Sequence, residues 1–179
     1  MSPTTTARGT DATTNDDTTG GDTTGGPPAD RTIDPDAARA QFDDALATHV
    51  QEFETFFLSR LIGLEFTYLP AEAKDADKEV CHLSFEVTEL IMNPQGSLHG
   101  GIFATVMDIS MGHLLRKVQG AAGATIEMKV QYLRPVMKGP ATCEGKFVKR
   151  GRAVSFLESR IFDRDGKVAA LATSTWKMP

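Results

Sequence analysis

One segment of this sequence is apolar on almost every side of a helix. From His99 to Lys117 the large apolar side chains leave no continuous polar stripe; they are Ile102, Phe103, Val106, Met107, Ile109, Met111, Leu114 and Leu115. A helix that is apolar all round must be enclosed by other elements. The rest of the chain is therefore expected to fold around a central helix.

The segments around this helix have the two-residue period of strands. Cys81, Leu83, Phe85 and Val87 alternate with polar residues, which predicts a half-buried strand. Turn residues separate the other strand candidates, at 64–69, 125–135, 141–149, 152–162 and 168–177. One long helix with about five or six mostly antiparallel strands predicts an α+β fold, in which a curved sheet wraps around the helix.

Two further segments precede the strands. Residues 1–33 contain eleven threonines and almost no large apolar side chains, which predicts a disordered tail. Asp34-Pro35-Asp36 then has the N-cap, proline and acid of a helix start. Apolar residues at three- and four-residue spacing up to Gly63 predict one amphipathic helix of about 26–28 residues. The predicted organisation is a tail, a helix over 34–63 and a domain over 64–179.

Charge and composition exclude several functions. The net charge is −5, and residues 1–35 carry about −4 of it, so the remaining near-neutral chain is not expected to bind nucleic acid. The apolar stretch 98–115 is interrupted by polar residues and is shorter than the ~20 residues of a membrane span. Cys81 and Cys143 lie in alternating patterns that predict free core cysteines. We expect a cytoplasmic protein without metal or cofactor.

A single carboxylate interrupts the central helix. Asp108 has Ala104 and Gly112 at the i±4 positions, so it has no basic partner on the helix itself. Burying a charge without a partner is costly. The sequence favours Asp108 as a catalytic base or nucleophile. The alternative is a structural carboxylate that pairs with a hydroxyl or a base across an interface.

Two glycines open the same helix. The first turn of a helix offers unpaired N–H groups and the positive end of the dipole. Without side chains, Gly100 and Gly101 would let a carbonyl oxygen approach these groups. A carbonyl under nucleophilic attack develops an oxyanion, which needs such donors. On spacing alone, close packing of the helix against the sheet explains the glycines equally well.

The loop and helix together resemble the signature of a known family. In order, Asn93, Gly96, His99, Gly100, Gly101 and Asp108 resemble the motif of hotdog-fold acyl-CoA thioesterases of the phenylacetic-acid-pathway type. The similarity continues through 132–136, Gly151-Arg152 and Asp165-Gly166. It implies a hotdog fold over roughly 60–178 and hydrolysis of an acyl-CoA. It also implies a homodimer whose sheets join edge to edge, or a dimer of dimers.

The resemblance implies a role for each motif residue. Asn93 would polarise the thioester carbonyl, while His99 would order the loop or face the sulfur. Thr125 would orient the attacking water beside the acid. On one helix, Asp108 and Gly100 lie ~12 Å apart along the axis and about 80° apart around it. Two antiparallel helices in a dimer would bring the acid of one subunit near the glycine of the other, which predicts a composite site.

A compact basic turn follows the second strand after the helix. Lys149, Arg150 and Arg152 could clamp the phosphates of coenzyme A. A solvated hairpin tip is the equally good alternative. Two other functions remain open at the level of sequence: a non-catalytic acyl-CoA sensor, which could dispense with Asp108, and a hydratase of the same fold.

Overall fold

The computed structural model describes residues 32–70 and 78–179. Its helices are α1 (Pro35–Thr48), α2 (Phe57–Ile62) and α3 (Gly100–Gln119), with a 3₁₀ turn at Glu89–Ile91. Its strands are β1 (Glu65–Leu69), β2 (Val80–Val87), β3 (Ala124–Tyr132), β4 (Gly139–Lys149), β5 (Val154–Phe162) and β6 (Val168–Lys177). The predicted α+β class is confirmed. The predicted tail lies outside the described residues, except for its last two positions.

The described strands form one antiparallel sheet in the order β1-β2-β4-β5-β6-β3. All five strand pairs are antiparallel. β3 directly follows α3 in the chain but pairs only with β6, so it lies at one edge of the sheet. Its residues are mostly exposed. The sheet therefore ends in a nine-residue strand whose outer edge is unpaired among the described residues.

The central helix α3 packs against the sheet, contacting strands β2 to β6. Met107, Met111 and Leu114 are fully buried between them. Gly145 on β4 permits this close approach, because an added Cβ would lie 2.8 Å from the backbone of Ser110. α3 ends at Gly120, whose left-handed conformation (φ 72°) starts the return toward β3. The predicted core helix is confirmed.

One side of α3 is less covered than the apolar pattern predicts. Gly101, Thr105, Asp108 and Gly112 recur at four, three and four residues, so they share one face of the helix. None of the four is fully buried, whereas the neighbouring Phe103, Val106, Met107, Ile109 and Met111 are. The sheet thus leaves open a narrow face of small and polar residues, and the carboxylate lies on it.

The single N-terminal helix expected over 34–63 is wrong. α1 ends at Thr48, α2 begins at Phe57, and residues 49–56 (the connector) are irregular. The cause is a tertiary contact that overrides the helical period. The backbone N–H of Glu54 donates to Nε2 of His113 on α3 at 3.0 Å, and Phe53 and Phe56 pack against the same imidazole. The predicted N-cap is confirmed, since Asp34 accepts from two backbone N–H groups.

Cys81 and Cys143 are buried and free, as the alternating pattern predicts. Neither α3 nor any other described helix combines the length and apolarity needed to cross a membrane. Within residues 32–70 and 78–179 there is no cluster of three His, Cys, Asp or Glu side chains that could hold a metal ion.

Candidate active site

Asp108 forms a hydrogen bond with the strand that follows its helix. The Thr125 hydroxyl donates to Asp108 Oδ1 at 2.8 Å. The other carboxylate oxygen, Oδ2, has no hydrogen-bond partner among the residues described. Burial raises the pKa of the Asp108 carboxyl above its ordinary value, and the Thr125 hydrogen bond opposes part of that rise. The arrangement holds a basic carboxylate with one oxygen fixed and one available.

The local fold explains why these two side chains meet. α3 stops at Gly120, and β3 starts at Ala124 and runs back beside the helix. Thr125 pairs with Trp176 of β6, and the register of β3 then shifts before Glu127. A bulge of this kind redirects side chains locally. The resemblance implies a role for Thr125 beside the acid, and Thr125 contacts Asp108 directly.

Asp108 lines a groove of about 660 Å³. This volume lies within the range of small-molecule sites, ~300–1,000 Å³. The open face of α3 forms one side of the groove, and the connector forms the other. Met128 and Trp176 from the sheet complete the lining. The groove is therefore mostly apolar, with the carboxylate on one side.

The start of α3 is a second polar centre. His99 is the N-cap residue, and its Nδ1 accepts from the Gly101 N–H at 2.9 Å. In the part of the chain that the structure describes, the Gly100 N–H has no acceptor. Of the two predicted donors, Gly100 is thus available to a ligand and Gly101 is occupied by the cap. Gly101 instead makes room for His99, because an added Cβ would lie 3.2 Å from its Nδ1.

Tyr132 supports this helix start and was not singled out from the sequence. Its hydroxyl donates to the Gly100 carbonyl oxygen at 3.0 Å. Its ring packs edge-on against Phe103, with the ring centroids 5.5 Å apart. The sequence signal was present, since Tyr132 begins the run 132–136 on which part of the resemblance rests. Spacing alone could not pair it with a residue 32 positions earlier.

Asn93 directs its hydrogen bonds into its own loop. Its Oδ1 accepts from the N–H groups of Gln95 and Ser97 at 2.9 and 3.3 Å. Its Nδ2 donates to the Ser97 hydroxyl at 3.1 Å. This is the turn-forming behaviour of an asparagine before a proline. The loop precedes His99, whose N–H donates to the Ile91 carbonyl at 2.9 Å. Asn93 and His99 therefore order the approach to α3.

Within one chain the acid and the helix start are separate. Gly100 and Asp108 are eight residues apart, about 12 Å along the axis. The groove that Asp108 lines includes none of the residues 93–101. A carbonyl held at the Gly100 N–H therefore lies beyond the reach of the same chain's Asp108.

The basic turn lies at the end of the sheet that carries Thr125. Ser155, the second residue of β5, pairs with Trp176 of β6, and Trp176 pairs in turn with Thr125 of β3. Two strand spacings are about 10 Å. Among the described residues, Lys149, Arg150 and Arg152 are exposed and form no ion pair. The basic turn thus carries three cations without an acidic partner among the described residues, at the end of the sheet that holds Thr125.

The comparisons with known proteins match this part of the chain. The sequence profile of the Thioesterase superfamily matches residues 95–170. A Saccharolobus solfataricus protein described as a candidate esterase is 33% identical over 112 residues, 62% of this chain and 80% of that protein. Human acyl-coenzyme A thioesterase 13 is 31% identical over 101 residues, 55% of this chain and 71% of the human one.

Among solved structures, the PaaI protein of the phenylacetic acid degradation operon of E. coli has the same fold. It superposes with a TM-score of 0.63 at 17% identity, over 79% of this chain and 95% of its own. The matched span 95–170 contains Gly100, Asp108, Thr125 and Tyr132. The span matched by the family thus includes both polar centres of α3, and the structural match shows the fold.

Proposed function

Because this chain belongs to the thioesterase superfamily, we propose that the bond it cleaves is the thioester of an acyl-CoA, giving a free carboxylic acid and coenzyme A. The hotdog fold and the thioester hydrolase implied by the 93–108 motif are confirmed. The similarity to acyl-coenzyme A thioesterase 13 supports CoA as the thiol. The chemistry proposed below needs no cofactor.

Asp108 is the catalytic residue, and its contact with Thr125 is the observation that carries the proposal. Asp108 Oδ2 removes a proton from water as the water attacks the carbonyl carbon. The tetrahedral oxyanion then collapses, the C–S bond breaks, and the CoA thiolate leaves with a proton returned by the acid. Burial supports this role, since it makes the carboxylate a stronger base. General-base catalysis of this kind contributes about 10²–10⁴-fold.

The oxyanion is held by the Gly100 N–H of a second copy of the chain. Two observations support a composite site: Gly100 and Asp108 are too far apart on one helix, and the Gly100 N–H has no acceptor among the described residues. An antiparallel pair of α3 helices would place the acid of one copy beside the helix start of the other. Asn93, His99 and Tyr132 position that helix start rather than contact the carbonyl.

The edge strand β3 supports the same pairing. Its outer edge is unpaired among the described residues, and a second β3 could continue the sheet across a two-fold axis. Apolar side chains on and after this strand are exposed, among them Ile126 at 57% and Leu133 at 53%. Exposed apolar residues beside an open strand edge are typical of an interface. A homodimer, alone or within a tetramer, would bury both.

The basic turn is proposed to bind the phosphates of coenzyme A. Lys149, Arg150 and Arg152 lie in the turn that leads into β5, whose start is paired through β6 to Thr125, and they form no ion pair with described acidic residues. Cations in such a turn can bind phosphate groups through charge-assisted hydrogen bonds. The acyl group would then enter the groove while the nucleotide remains at the surface.

Release of thiol from a panel of acyl-CoAs tests the proposal. The wild-type chain is expected to release CoA, and Asp108→Asn to turn over about 10²–10⁴-fold more slowly while still binding the substrate. The exposed Asp165→Asn, in the β5–β6 turn, is the matched control and is expected to keep the wild-type rate. Equal rates for Asp108→Asn and wild type would remove the acid from the mechanism.

A single turnover in ¹⁸O-labelled water tests whether Asp108 acts as a nucleophile. If Asp108 activates water, the label enters the product acid in the first turnover and never enters Asp108. If the carboxylate attacks directly, an acyl–Asp108 anhydride forms, and water that attacks its Asp108 carbonyl carbon labels Asp108, while water that attacks its acyl carbon labels the product. Label in Asp108 would therefore identify the nucleophilic path. The held Oδ1 and available Oδ2 are compatible with both paths, and we expect label in the product.

A further inference from the structure

The groove beside Asp108 leads to a wall built from the connector. Phe53 and Phe56 line it, and so does His113 from the last turns of α3. From Asp108 to His113 is five residues, ~7.5 Å along the helix axis. An extended chain advances ~1.2 Å per bond, as in a polypeptide, so about six bonds cover this distance.

The connector is held in a constrained conformation. Among residues 32–70 and 78–179, Glu54 is the only non-glycine residue with a positive φ, 75°. Such a conformation costs roughly 1–3 kcal/mol and persists only where the surroundings enforce it. Glu54 is bound at three points: its N–H by His113 at 3.0 Å, its carbonyl by the Ser59 hydroxyl at 3.0 Å and its carboxylate by the Tyr68 hydroxyl at 2.8 Å.

The three-point attachment turns the connector's aromatic rings toward α3. Phe53 lies edge-on to the His113 ring at 5.0 Å between centroids, and Phe56 lies stacked at 6.0 Å. The Arg116 guanidinium covers the Phe53 ring at 5.6 Å. Phe66 of β1 stacks on the imidazole at 4.5 Å. The wall is therefore attached to the same helix that carries the acid.

The protonation state of His113 follows from its two partners. The Ile109 carbonyl can only accept, so Nδ1, 2.9 Å away, carries the proton. The Glu54 N–H can only donate, so Nε2 is the unprotonated acceptor. Burial lowers the pKa of His113, which keeps the ring neutral. A neutral imidazole is therefore the side chain that ties the connector to α3.

We propose that Phe53 and Phe56 form the distal wall of the acyl site and select apolar acyl chains of about six or more carbons, with His113 as the residue that positions this wall. The inference rests on the proposed function, because it assigns the acyl group to the groove beside Asp108. The chain enters past the carboxylate, runs along the groove beside Gly112 and the Trp176 ring that covers it, and ends against the connector.

The selectivity between octanoyl-CoA and acetyl-CoA tests the wall. An octanoyl chain reaches the connector and an acetyl group does not. In Phe53→Ala, the ratio of kcat/KM for octanoyl-CoA to that for acetyl-CoA is expected to fall about tenfold, because a well-packed apolar contact is lost. The control is Phe42→Ala on α1, since Phe42 is similarly exposed (46% against 42% for Phe53) and does not line the groove.

The control ratio is expected to equal that of wild type. An unchanged ratio in Phe53→Ala, or an equal fall in Phe42→Ala, would overturn the proposed wall. Absence of hydrolysis with every acyl-CoA would count against the proposed function alone. In that case, binding of free octanoate tests the proposed wall, and the fluorescence of Trp176 reports the binding.

Trp176 is the only tryptophan of the chain, and it lines the groove. Octanoate is expected to change its fluorescence saturably in wild type and Phe42→Ala, and about tenfold more weakly in Phe53→Ala. Acetate should produce no such change. Equal octanoate affinities for the three proteins would contradict the inference, whether or not the chain hydrolyses CoA esters.

Two substitutions of His113 test its positioning role. His113→Phe keeps a ring between the aromatic neighbours but removes the acceptor for the Glu54 N–H, while His113→Gln retains an acceptor. We expect His113→Phe to raise KM for octanoyl-CoA several-fold more than KM for acetyl-CoA, with little change in kcat, and His113→Gln to recover part of the loss. Equal KM changes for both substrates would show that His113 serves general stability only.

Discussion

The two ends of the proposed chemistry lie on one helix in very different settings. At its start, α3 offers the Gly100 N–H, in a turn held by the Tyr132 hydroxyl, which donates to the Gly100 carbonyl, and by the His99 cap. In its middle, it offers Asp108, half-buried and held by Thr125. The helix start has an N–H donor but no acid beside it. Asp108 is an acid without a neighbouring donor that could hold an oxyanion.

The separation of the two groups explains how one helix can carry both a donor for an oxyanion and a basic carboxylate. A carboxylate near the positive end of a helix would have a lower pKa and be a weaker base. About 12 Å away, Asp108 escapes most of that field and responds to burial instead. In the proposed mechanism each chain supplies two half-sites, and dimerisation would combine them.

Gly100→Pro is the strongest test of the helix start. Proline is favoured at the first helical position, and His99 already has the extended conformation (φ −66°, ψ 136°) that a following proline requires. The substitution removes the N–H and adds a ring whose Cβ meets Tyr132 at an ordinary 3.6 Å, so we expect the helix to form and kcat to fall about 10²–10³-fold, the loss typical of one oxyanion donor. Steady-state thiol release measures it.

The matched control is Gly100→Ala. It keeps the N–H, and its Cβ would lie 3.6 Å from the Tyr132 ring, an ordinary contact. Its kcat should stay within a few-fold of wild type. A folded Gly100→Pro protein with wild-type turnover would show that the Gly100 N–H does not hold the oxyanion.

Mixing two inactive variants tests whether the half-sites combine across subunits. Asp108→Asn and Gly100→Pro chains, unfolded and refolded together in equal amounts, should form mixed dimers in which one site is intact. Random pairing predicts recovery to about a quarter of the wild-type rate. Each variant refolded alone is the control. No recovery, with mixed dimers present by mass spectrometry, would place the acid and the donor of one site in the same chain.

The sequence predicts α3 and the strands well. The apolar pattern of α3 and its opening glycines depend on local preferences, and the structure places the helix within two residues of the prediction. Strand alternation predicts each described strand to within two or three residues at each end. The Asp108–Thr125 contact came from the family resemblance, because no periodicity links a helix residue to a strand residue 17 positions later.

Local sequence patterns could not predict the connector or the contact of Tyr132 with Gly100, because both depend on residues that are distant in the chain. Val50, Phe53 and Phe57 continue a helical period, and no proline or glycine interrupts it. The break depends on His113, 59 residues away in the chain. The open face of α3 had a readable signal in the spacing of Gly101, Thr105, Asp108 and Gly112, but the surrounding apolar residues dominate the pattern.

The pH dependence of kcat/KM tests whether Asp108 acts as a base. Asp108 must be ionised to act as a base, so kcat/KM should rise with pH through its raised pKa. Thr125→Val removes the hydrogen bond that lowers this pKa, and the acidic limb should move to higher pH. Thr125→Ser restores a donor and should move it back. An acidic limb at the same pH in all three proteins would assign it to another group.

The buried charge of Asp108 is also expected to lower the stability of the folded protein slightly. Since the folded-state pKa of Asp108 is raised, its contribution to stability is complete below the unfolded pKa and is lost as pH rises through the folded pKa. At pH 7, Asp108→Asn should therefore be more stable than wild type. Solvent screening of the half-buried side chain keeps the gain below about 1 kcal/mol.

Thermal unfolding across pH measures this gain. The difference in Tm between Asp108→Asn and wild type should shrink as pH falls toward the ordinary carboxyl pKa, because the wild-type side chain then becomes neutral too. Thr125→Val supplies the control, since it leaves the charge in place and removes a stabilising partner, and it should lower Tm at pH 7. A Tm of Asp108→Asn below wild type at every pH would mean that the carboxylate stabilises the fold, and the catalytic explanation for its place in an apolar helix would lose its support.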